Sequence, residues 1–163
     1  QTRRRIYIVA FRDHEMCQRF RFPEATPLTA TLKQFLDTDT EQHEIYYYRE
    51  ETEYDKYIRS NVTDSQYLYR VFNGAVRKLT NNKCPTLTAS MTTPRNAAVL
   101  RDSWGVRRLT LRESLRFQGF PQEYYFPNSI KLQDAYKQIG NSVSVPVVKN
   151  VAQQINTAFS EKR

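Results

Sequence analysis

The segment 107–121 constrains this chain most; it reads R-R-L-T-L-R-E-S-L-R-F-Q-G-F-P. Thr110 lies three residues before Glu113, and in this S/T-x-x-E spacing the hydroxyl and the carboxylate each accept from a free amide at a helix start. Leu111 and Leu115 lie four residues apart and can face a core together. Gly119 and Pro121 follow these residues. The segment therefore predicts a short helix that begins near Leu111 and ends before Pro121.

Charge is distributed unevenly along the 163 residues, which carry 25 Lys and Arg against 17 Asp and Glu. The net charge is +4 over 1–22, −6 over 23–64, +5 over 65–100 and +5 over 101–163. The stretch 65–100 contains no acid at all. Such a stretch favours a phosphate backbone, because each Lys or Arg can release a counterion and no carboxylate opposes binding. Composition alone does not decide for or against nucleic-acid binding.

Composition also argues against several classes of protein. The longest apolar runs are six residues, far too short to span a bilayer. Cys17 and Cys84 are isolated thiols in a chain large enough to fold without disulfides, so we expect a reducing cytoplasm. His14 and His43 have no ligand partners at useful spacing, and no metal site is predicted.

The pattern of apolar residues predicts a mixed α/β chain, with the short elements of an α+β fragment. One or two helical turns are expected at 29–36. Helices are expected at 50–59, from Leu111, at 132–139 with Gly140 as the stop, and in a last segment with Pro146 in its first turn. Strands are expected at 6–11, 66–72, 75–80, 85–90 and 97–100. Asn73-Gly74 predicts a tight hairpin turn, and the apolar spacing of the last helix predicts that it docks on a core.

Three groups of residues resemble, in order, the eighth, ninth and tenth motifs of the DNA (cytosine-5) methyltransferases. The eighth motif is matched by Gln1, Arg3 and Arg5 ahead of an apolar strand. The ninth is matched by Arg108, Thr110, Arg112, Glu113, Arg116, Gln118 and Gly119. The tenth is matched by Asn141, Ser142 and Val143 within G-N-S-V-x-V-P-V. The resemblance covers essentially the whole chain.

The resemblance implies a class I S-adenosylmethionine-dependent methyltransferase fold, of which this chain would be the C-terminal portion with a small β-rich target recognition domain. It divides the chain into an edge of the catalytic domain at 1–22, the target recognition domain with an acidic insert at 23–106, and a return to the catalytic domain at 107–163. Thr86-Leu87 resembles the Thr-Leu pair common in the recognition domain. The residues expected to contact DNA are Arg77, Lys78, Lys83, Thr86, Leu87 and Arg95, without distinction between bases and phosphates.

The family transfers a methyl group from S-adenosyl-L-methionine to carbon 5 of a cytosine flipped out of duplex DNA. By resemblance, Arg5, assisted by Arg3 and with Gln1 beside them, would bind the cytosine and stabilise charge that develops on it. Asn141, Ser142 and Val143 would contact the cofactor near its amino-acid end. Arg108 and its motif would organise the recognition domain against the catalytic one.

Three family motifs that precede the eighth are missing: the Gly-rich cofactor motif, the Pro-Cys nucleophile motif and the Glu-Asn-Val motif. Cys84-Pro85 has the reverse order and is not expected to be the nucleophile. The chain should therefore be inactive alone and need an N-terminal catalytic half, as part of a longer polypeptide or of a heterodimer. The alternative is a non-catalytic basic DNA-binding or regulatory module derived from such an enzyme. Either is expected in the bacterial cytoplasm, associated with the nucleoid; restriction–modification is the usual setting for bacterial members.

Overall fold

The computed structural model describes residues 4–49, 51–80 and 83–160. Their contacts divide the described chain into two units. The first, which we call the sheet unit, is formed by Ala30–Ser142. The second, which we call the terminal unit, is formed by Arg4–Thr29 together with the residues from Val143 onward. The predicted division at residues 22 and 106 stays a prediction.

The sheet unit contains four antiparallel strands in the spatial order β2-β1-β3-β4. These are β1 Tyr69–Phe72, β2 Ala75–Lys78, β3 Ala97–Asp102 and β4 Gly105–Arg108. The turn between β1 and β2 is made by Asn73 and Gly74, with φ angles of 48° and 77°. Asn and Gly tolerate this left-handed conformation, which a two-residue hairpin of this kind requires. The predicted hairpin is confirmed, and so is the strand that begins at Ala97.

Two apolar cores lie on opposite faces of this sheet, because successive side chains of a strand alternate in direction. One core includes Ala98 and Leu100 of the sheet with Leu115 and Ile139 of the helices that follow. The other includes Val71 and Val99 with Ile58 of an earlier helix. The helical part of segment 107–121 thus packs against one face of the sheet.

Five α-helices lie among the described residues: α1 His14–Arg19, α2 Glu53–Asn61, α3 Leu111–Gln118, α4 Leu132–Asn141 and α5 Val145–Ser160. Single 3₁₀ turns occupy Leu32–Phe35 and Glu44–Tyr46. The start of α3 is as predicted: the Glu113 amide donates to the Thr110 hydroxyl at 3.1 Å, and the Thr110 amide donates to the Glu113 carboxylate at 2.7 Å. Gly119 ends the helix with φ 81°. No described helix is long and apolar enough to cross a membrane.

In the terminal unit, an aromatic residue that precedes α1 contacts both the residue that follows α1 and a residue of α5. The ring of Phe11 lies 5.5 Å from that of Phe20 and 6.0 Å from that of Phe159, between centroids. Pro146 occupies the first turn of α5, as predicted. The predicted apolar face of α5 is only partly covered, since Val151 is buried whereas Val148 and Phe159 are exposed.

The predicted buried strand at 6–11 is not formed. The segment has no strand partner among the described residues, and its exposure alternates: Ile6 is 90% and Ile8 88% exposed, whereas Tyr7, Val9 and Phe11 are half-buried. A strand is stabilised by ladder hydrogen bonds and cross-strand side-chain pairs, and neither is available to it here. The β-rich sequence therefore remains extended without joining a sheet.

The predicted strand at 85–90 is also wrong. Its backbone enters a turn, in which the Met91 amide donates to the Thr88 carbonyl at 3.0 Å. A helix, not a strand, lies beside it. Gly140, predicted to stop α4, instead lies inside that helix, where a Cβ atom would overlap the backbone of Thr88 and Ala89. The glycine permits this close approach, and the helix ends at Asn141.

Candidate functional site

A fully buried arginine lies at the centre of the sheet unit. Arg107 is 0% exposed, and its guanidinium makes five hydrogen bonds. Its Nε donates to Asp102 Oδ2 at 2.6 Å, and Nη1 and Nη2 donate to the two carboxylate oxygens of Glu113, each at 2.8 Å. The remaining bonds reach the carbonyl oxygens of Asp37 at 3.1 Å and Arg108 at 3.2 Å. All five donors of the guanidinium are used.

The local sequence explains how this charge is tolerated. Asp102 ends β3 and Arg107 lies on β4, so the hairpin brings them together. Glu113 is fixed by the capping box of α3, with its carboxylate already aimed back at the helix start. Burial alone would lower the pKa of Arg107, but the carboxylates of Glu113 and Asp102 outweigh it and raise the pKa. A buried charge is stable only when paired and hydrogen-bonded in this way.

The other polar residues of segment 107–121 also bond within the protein. Arg108 donates to the Ile45 carbonyl at 3.2 Å and lies over the ring of Tyr136, 5.1 Å from its centroid. Arg116 is paired with the Asp37 carboxylate at 2.6 Å. Two further side chains bind carbonyl oxygens: Arg112 donates to those of Gln122 and Tyr124, and Gln118 to that of Ile139. Segment 107–121 thus joins parts of the sheet unit through its own hydrogen bonds, and we call it the clamp. Its arginines do not form a free basic surface.

The basic residues of 65–100 divide into two classes. Lys78 is paired with Asp64 at 2.6 Å and lies 4.0 Å from the centroid of the Tyr67 ring, and Arg95 lies over the ring of Tyr54. Arg77 and Lys83 are exposed, and neither has a hydrogen-bond or ion-pair partner among the described residues. These two side chains are therefore available to an anion.

The Thr86-Leu87 pair does not lie on this basic surface as expected. Leu87 is 3% exposed and packs in the core with Leu115 and Ile139, so its side chain is not available to DNA. Thr86 is half-buried. The apolar residue of the pair fills the space beneath the turn at 88–91, where packing against α4 requires it.

Arg5 is the one residue of the predicted cytosine pocket within the described chain, since Gln1 and Arg3 lie outside it. Its side chain is exposed, and Nη1 donates to the neighbouring Arg4 carbonyl at 2.7 Å. The guanidinium has further donors, so Arg5 can still bind a carbonyl oxygen of a ligand.

The predicted cofactor residues lie at the end of α4 and directly after it. The side chain of Asn141 is exposed and makes no hydrogen bond to described residues. Ser142 donates from its hydroxyl to the Ile139 carbonyl at 2.7 Å, which leaves its lone pairs as acceptors. Val143 is exposed. A free carboxamide supplies a donor for a carboxylate and an acceptor for an ammonium group, so these residues fit the amino-acid end of S-adenosylmethionine.

Comparison with known proteins decides the family. The model of the C-5 cytosine-specific DNA methylases matches residues 1–157. The chain belongs to this family. Type II methyltransferase M.Bsp6I of Bacillus sp. (strain RFL6) is 37% identical over 157 residues, which are 95% of this chain and 50% of that protein. Type II methyltransferase M.MspI of Moraxella sp. is 29% identical over 98% of this chain and 35% of its own length.

The chain thus spans half or less of the length of these two relatives. A crystal structure of a Spodoptera frugiperda DNMT2 mutant superimposes with a TM-score of 0.58 at 18% identity, covering 83% of this chain and 45% of that one. This likeness confirms the predicted fold class. The predicted family and the assignment to one part of such a protein agree with the coverage.

Cys84 does not have the surroundings of an activated nucleophile. Cys84 is buried, and burial raises the pKa of its thiol to about 12, so that it stays protonated at neutral pH. Cys17 is exposed on the short helix α1. Within the described ranges no group of three or more His, Cys, Asp or Glu residues could hold a metal ion.

Sequence reasoning missed two residues. Arg107 was not among the predicted residues, although the acid Glu113 six residues on could have indicated a buried pair. Arg70 was not singled out, yet the hairpin register places it directly opposite Arg77. A register drawn from the Asn73-Gly74 turn would have found this pairing, because a two-residue loop fixes which residues face each other.

Proposed function

We propose that this chain is the target-recognition and C-terminal part of a DNA (cytosine-5) methyltransferase that needs an N-terminal catalytic half for activity. The observation that carries the proposal is the match of the family over 1–157 by a chain that spans half of M.Bsp6I. The buried, protonated Cys84 supports it, because the nucleophile must then come from elsewhere. The reaction is transfer of a methyl group from S-adenosylmethionine to carbon 5 of a flipped cytosine in a specific duplex sequence.

The exposed flank of the terminal unit supports the need for a catalytic half. Ile6 and Ile8 present apolar side chains to solvent, on an extended segment that has no strand partner among the described residues. An extended segment of this kind can add to the sheet of a partner through main-chain hydrogen bonds, while its side chains enter a core. In our proposal the segment 6–11 becomes a strand of the catalytic half, which would explain its strand-like sequence.

Docking of that strand would carry Arg5, at its start, to the reacting cytosine. A guanidinium that donates to the cytosine carbonyl stabilises the negative charge that forms on the ring when a nucleophile adds. By resemblance to the eighth motif, Arg3 would assist Arg5, together with Gln1. Flipping the base costs a few kcal/mol, which contacts between the DNA and the basic residues of the sheet unit would offset.

The cofactor supplies an electrophilic methyl group when it is bound. Asn141 and Ser142 would hold its amino-acid end, with Val143 against it. Asn141 binds the charged groups through its free carboxamide, and the clamp around Arg107 fixes the sheet unit that carries the DNA contacts. The setting would be a bacterial restriction–modification system, with the protein in the cytoplasm at the nucleoid.

Methyl transfer tests the proposal. Labelled S-adenosylmethionine and duplex DNA would be incubated with this chain alone, with the portion of M.Bsp6I that the chain does not match, and with both. A naturally neighbouring N-terminal half would be tested in the same way. Label in DNA only from a mixture is the expected result. Label from this chain alone would refute the need for a partner, and DNA binding without activity in any mixture would favour a non-catalytic module.

A further inference from the structure

Two arginines face each other across the hairpin at the edge of the sheet. The register pairs Arg70 of β1 with Arg77 of β2, and directly opposed residues project from the same face. Their Cβ atoms are then about 5 Å apart. The Arg70 guanidinium lies 4.7 Å from the centroid of the Phe72 ring, which holds it in place, and Arg77 is exposed.

This arginine pair has no compensating acid. No carboxylate of the described residues forms a salt bridge with either side chain, and none occurs in the sequence between 65 and 100. Like charges directly opposite each other destabilise a strand ladder. The same strand shows the contrast, since Lys78, the next residue along β2, projects from the other face and is paired with Asp64. An anion placed between the two arginines would remove the repulsion.

We propose that Arg70 and Arg77 together bind one phosphate group of the DNA backbone, and that Lys78 takes no part. The assignment rests on the proposed function for the identity of the polymer. Guanidinium groups suit this site because each offers two parallel N–H groups to phosphate oxygens. Arg70 is the ordered member of the pair, and Arg77 closes on the phosphate from the exposed edge. The contact positions the duplex and reads no base.

The test compares Arg70→Gln, Arg77→Gln and the double variant with Lys78→Gln as the matched control. Lys78 lies next to Arg77 on β2, and its substitution by Gln removes one positive charge, as the substitution of either arginine does. Dissociation constants for a labelled duplex would be measured over a range of salt. Each arginine variant should bind about 5- to 10-fold more weakly at low salt, with the slope against log salt reduced by about 1. Lys78→Gln should stay within about 2-fold, as expected for a base already paired with an acid.

A shared phosphate also predicts coupling between the two arginines. Once one arginine has been removed, the phosphate is held less tightly, and removal of the second arginine lowers the DNA affinity less. The double variant should therefore bind only slightly more weakly than either single variant. Thermal unfolding confirms folding, and the arginine variants should unfold at the same or a higher temperature because repulsion is relieved. The loss of DNA affinity in the arginine variants should be equal for duplexes of different sequence.

Three results would overturn the assignment while leaving the proposed function intact: unchanged binding by the arginine variants, an equal loss in Lys78→Gln, or a double variant whose loss is the product of the single losses. Failure of the unmodified chain to bind any duplex at low salt would overturn the DNA-binding part of the proposed function, and the phosphate assignment with it.

Discussion

The backbone amide of Asp37 donates a 2.9 Å hydrogen bond to Oε1 of Glu113, a residue 76 positions further along the chain. The same carboxylate binds Arg107, whose Nη2 donates back to the Asp37 carbonyl. The Asp37 side chain in turn binds Arg116. The acidic stretch is thus fixed to segment 107–121 at three points, and the clamp joins distant parts of the sheet unit.

Loss of the Glu113 charge should destabilise the protein strongly. In Glu113→Gln the buried guanidinium of Arg107 loses its bidentate partner, and breaking a buried pair costs about 3–5 kcal/mol. Urea unfolding at neutral pH measures the change. Glu123→Gln is the control, because Glu123 is exposed and such a surface change costs less than about 0.5 kcal/mol. Equal stability of the two variants would contradict the clamp.

Gly140→Ala should destabilise the protein, whereas replacement of a glycine by alanine within a helix usually stabilises it. Inside an exposed helix this change stabilises by about 0.5–1 kcal/mol. Here the added methyl group would overlap the backbone of Thr88 and Ala89, which cannot rotate away. Overpacking of this kind costs about 1–3 kcal/mol. Denaturant unfolding checks the sign, with Lys137→Ala on the exposed side of α4 as control. A stabilised Gly140→Ala would show that α4 does not approach this turn.

The buried thiol of Cys84 should make the folded protein less stable at alkaline pH. Burial raises its pKa to about 12 from an ordinary value of 9.0. Between these values the unfolded chain releases the proton and the folded protein keeps it, so stability falls as pH rises, by up to about 1.4 kcal/mol per pH unit. Buried tyrosines such as Tyr48, whose pKa is also raised by burial, add to the slope.

Comparison with a variant therefore isolates the cysteine. Cys84→Ala should lose less stability than the unmodified protein when the pH is raised from 8 to 10, whereas Cys17→Ala, at an exposed position, should follow the unmodified protein. Identical pH dependence in all three would mean that Cys84 is accessible to water.

Arg5 and Arg77 should affect different steps. In the mixture with a catalytic half, Arg5→Ala should lower kcat by about 10²–10³, the usual loss when one stabilising donor is removed, with DNA affinity nearly unchanged. Arg77→Ala should mainly raise the Kd for DNA. Single-turnover methyl transfer and equilibrium binding separate the two effects. Comparable losses of binding in both variants would contradict the division between pocket and recognition surface.

Local sequence rules predicted the elements whose determinants are local. The capping box of Thr110 and Glu113 and the Asn73-Gly74 turn specify their conformation within four residues, and both formed as expected. Tertiary contacts decided the rest. Gly140 resembled a helix stop, but its role depends on a turn some fifty residues earlier, and Leu87 resembled part of a binding surface until packing placed it in the core. The 6–11 segment has the sequence of a strand but finds no sheet to join among the described residues.

The most direct test of the central claim uses a form of this chain without cysteine. Cys17→Ala/Cys84→Ala, with its fold checked by circular dichroism, would be mixed with a catalytic half that restores methyl transfer to the unmodified chain. If the nucleophile belongs to the catalytic half, the variant mixture should transfer the methyl group at the unmodified rate. Loss of transfer by the folded variant would mean that a cysteine of this chain attacks the cytosine, and would contradict the proposed function.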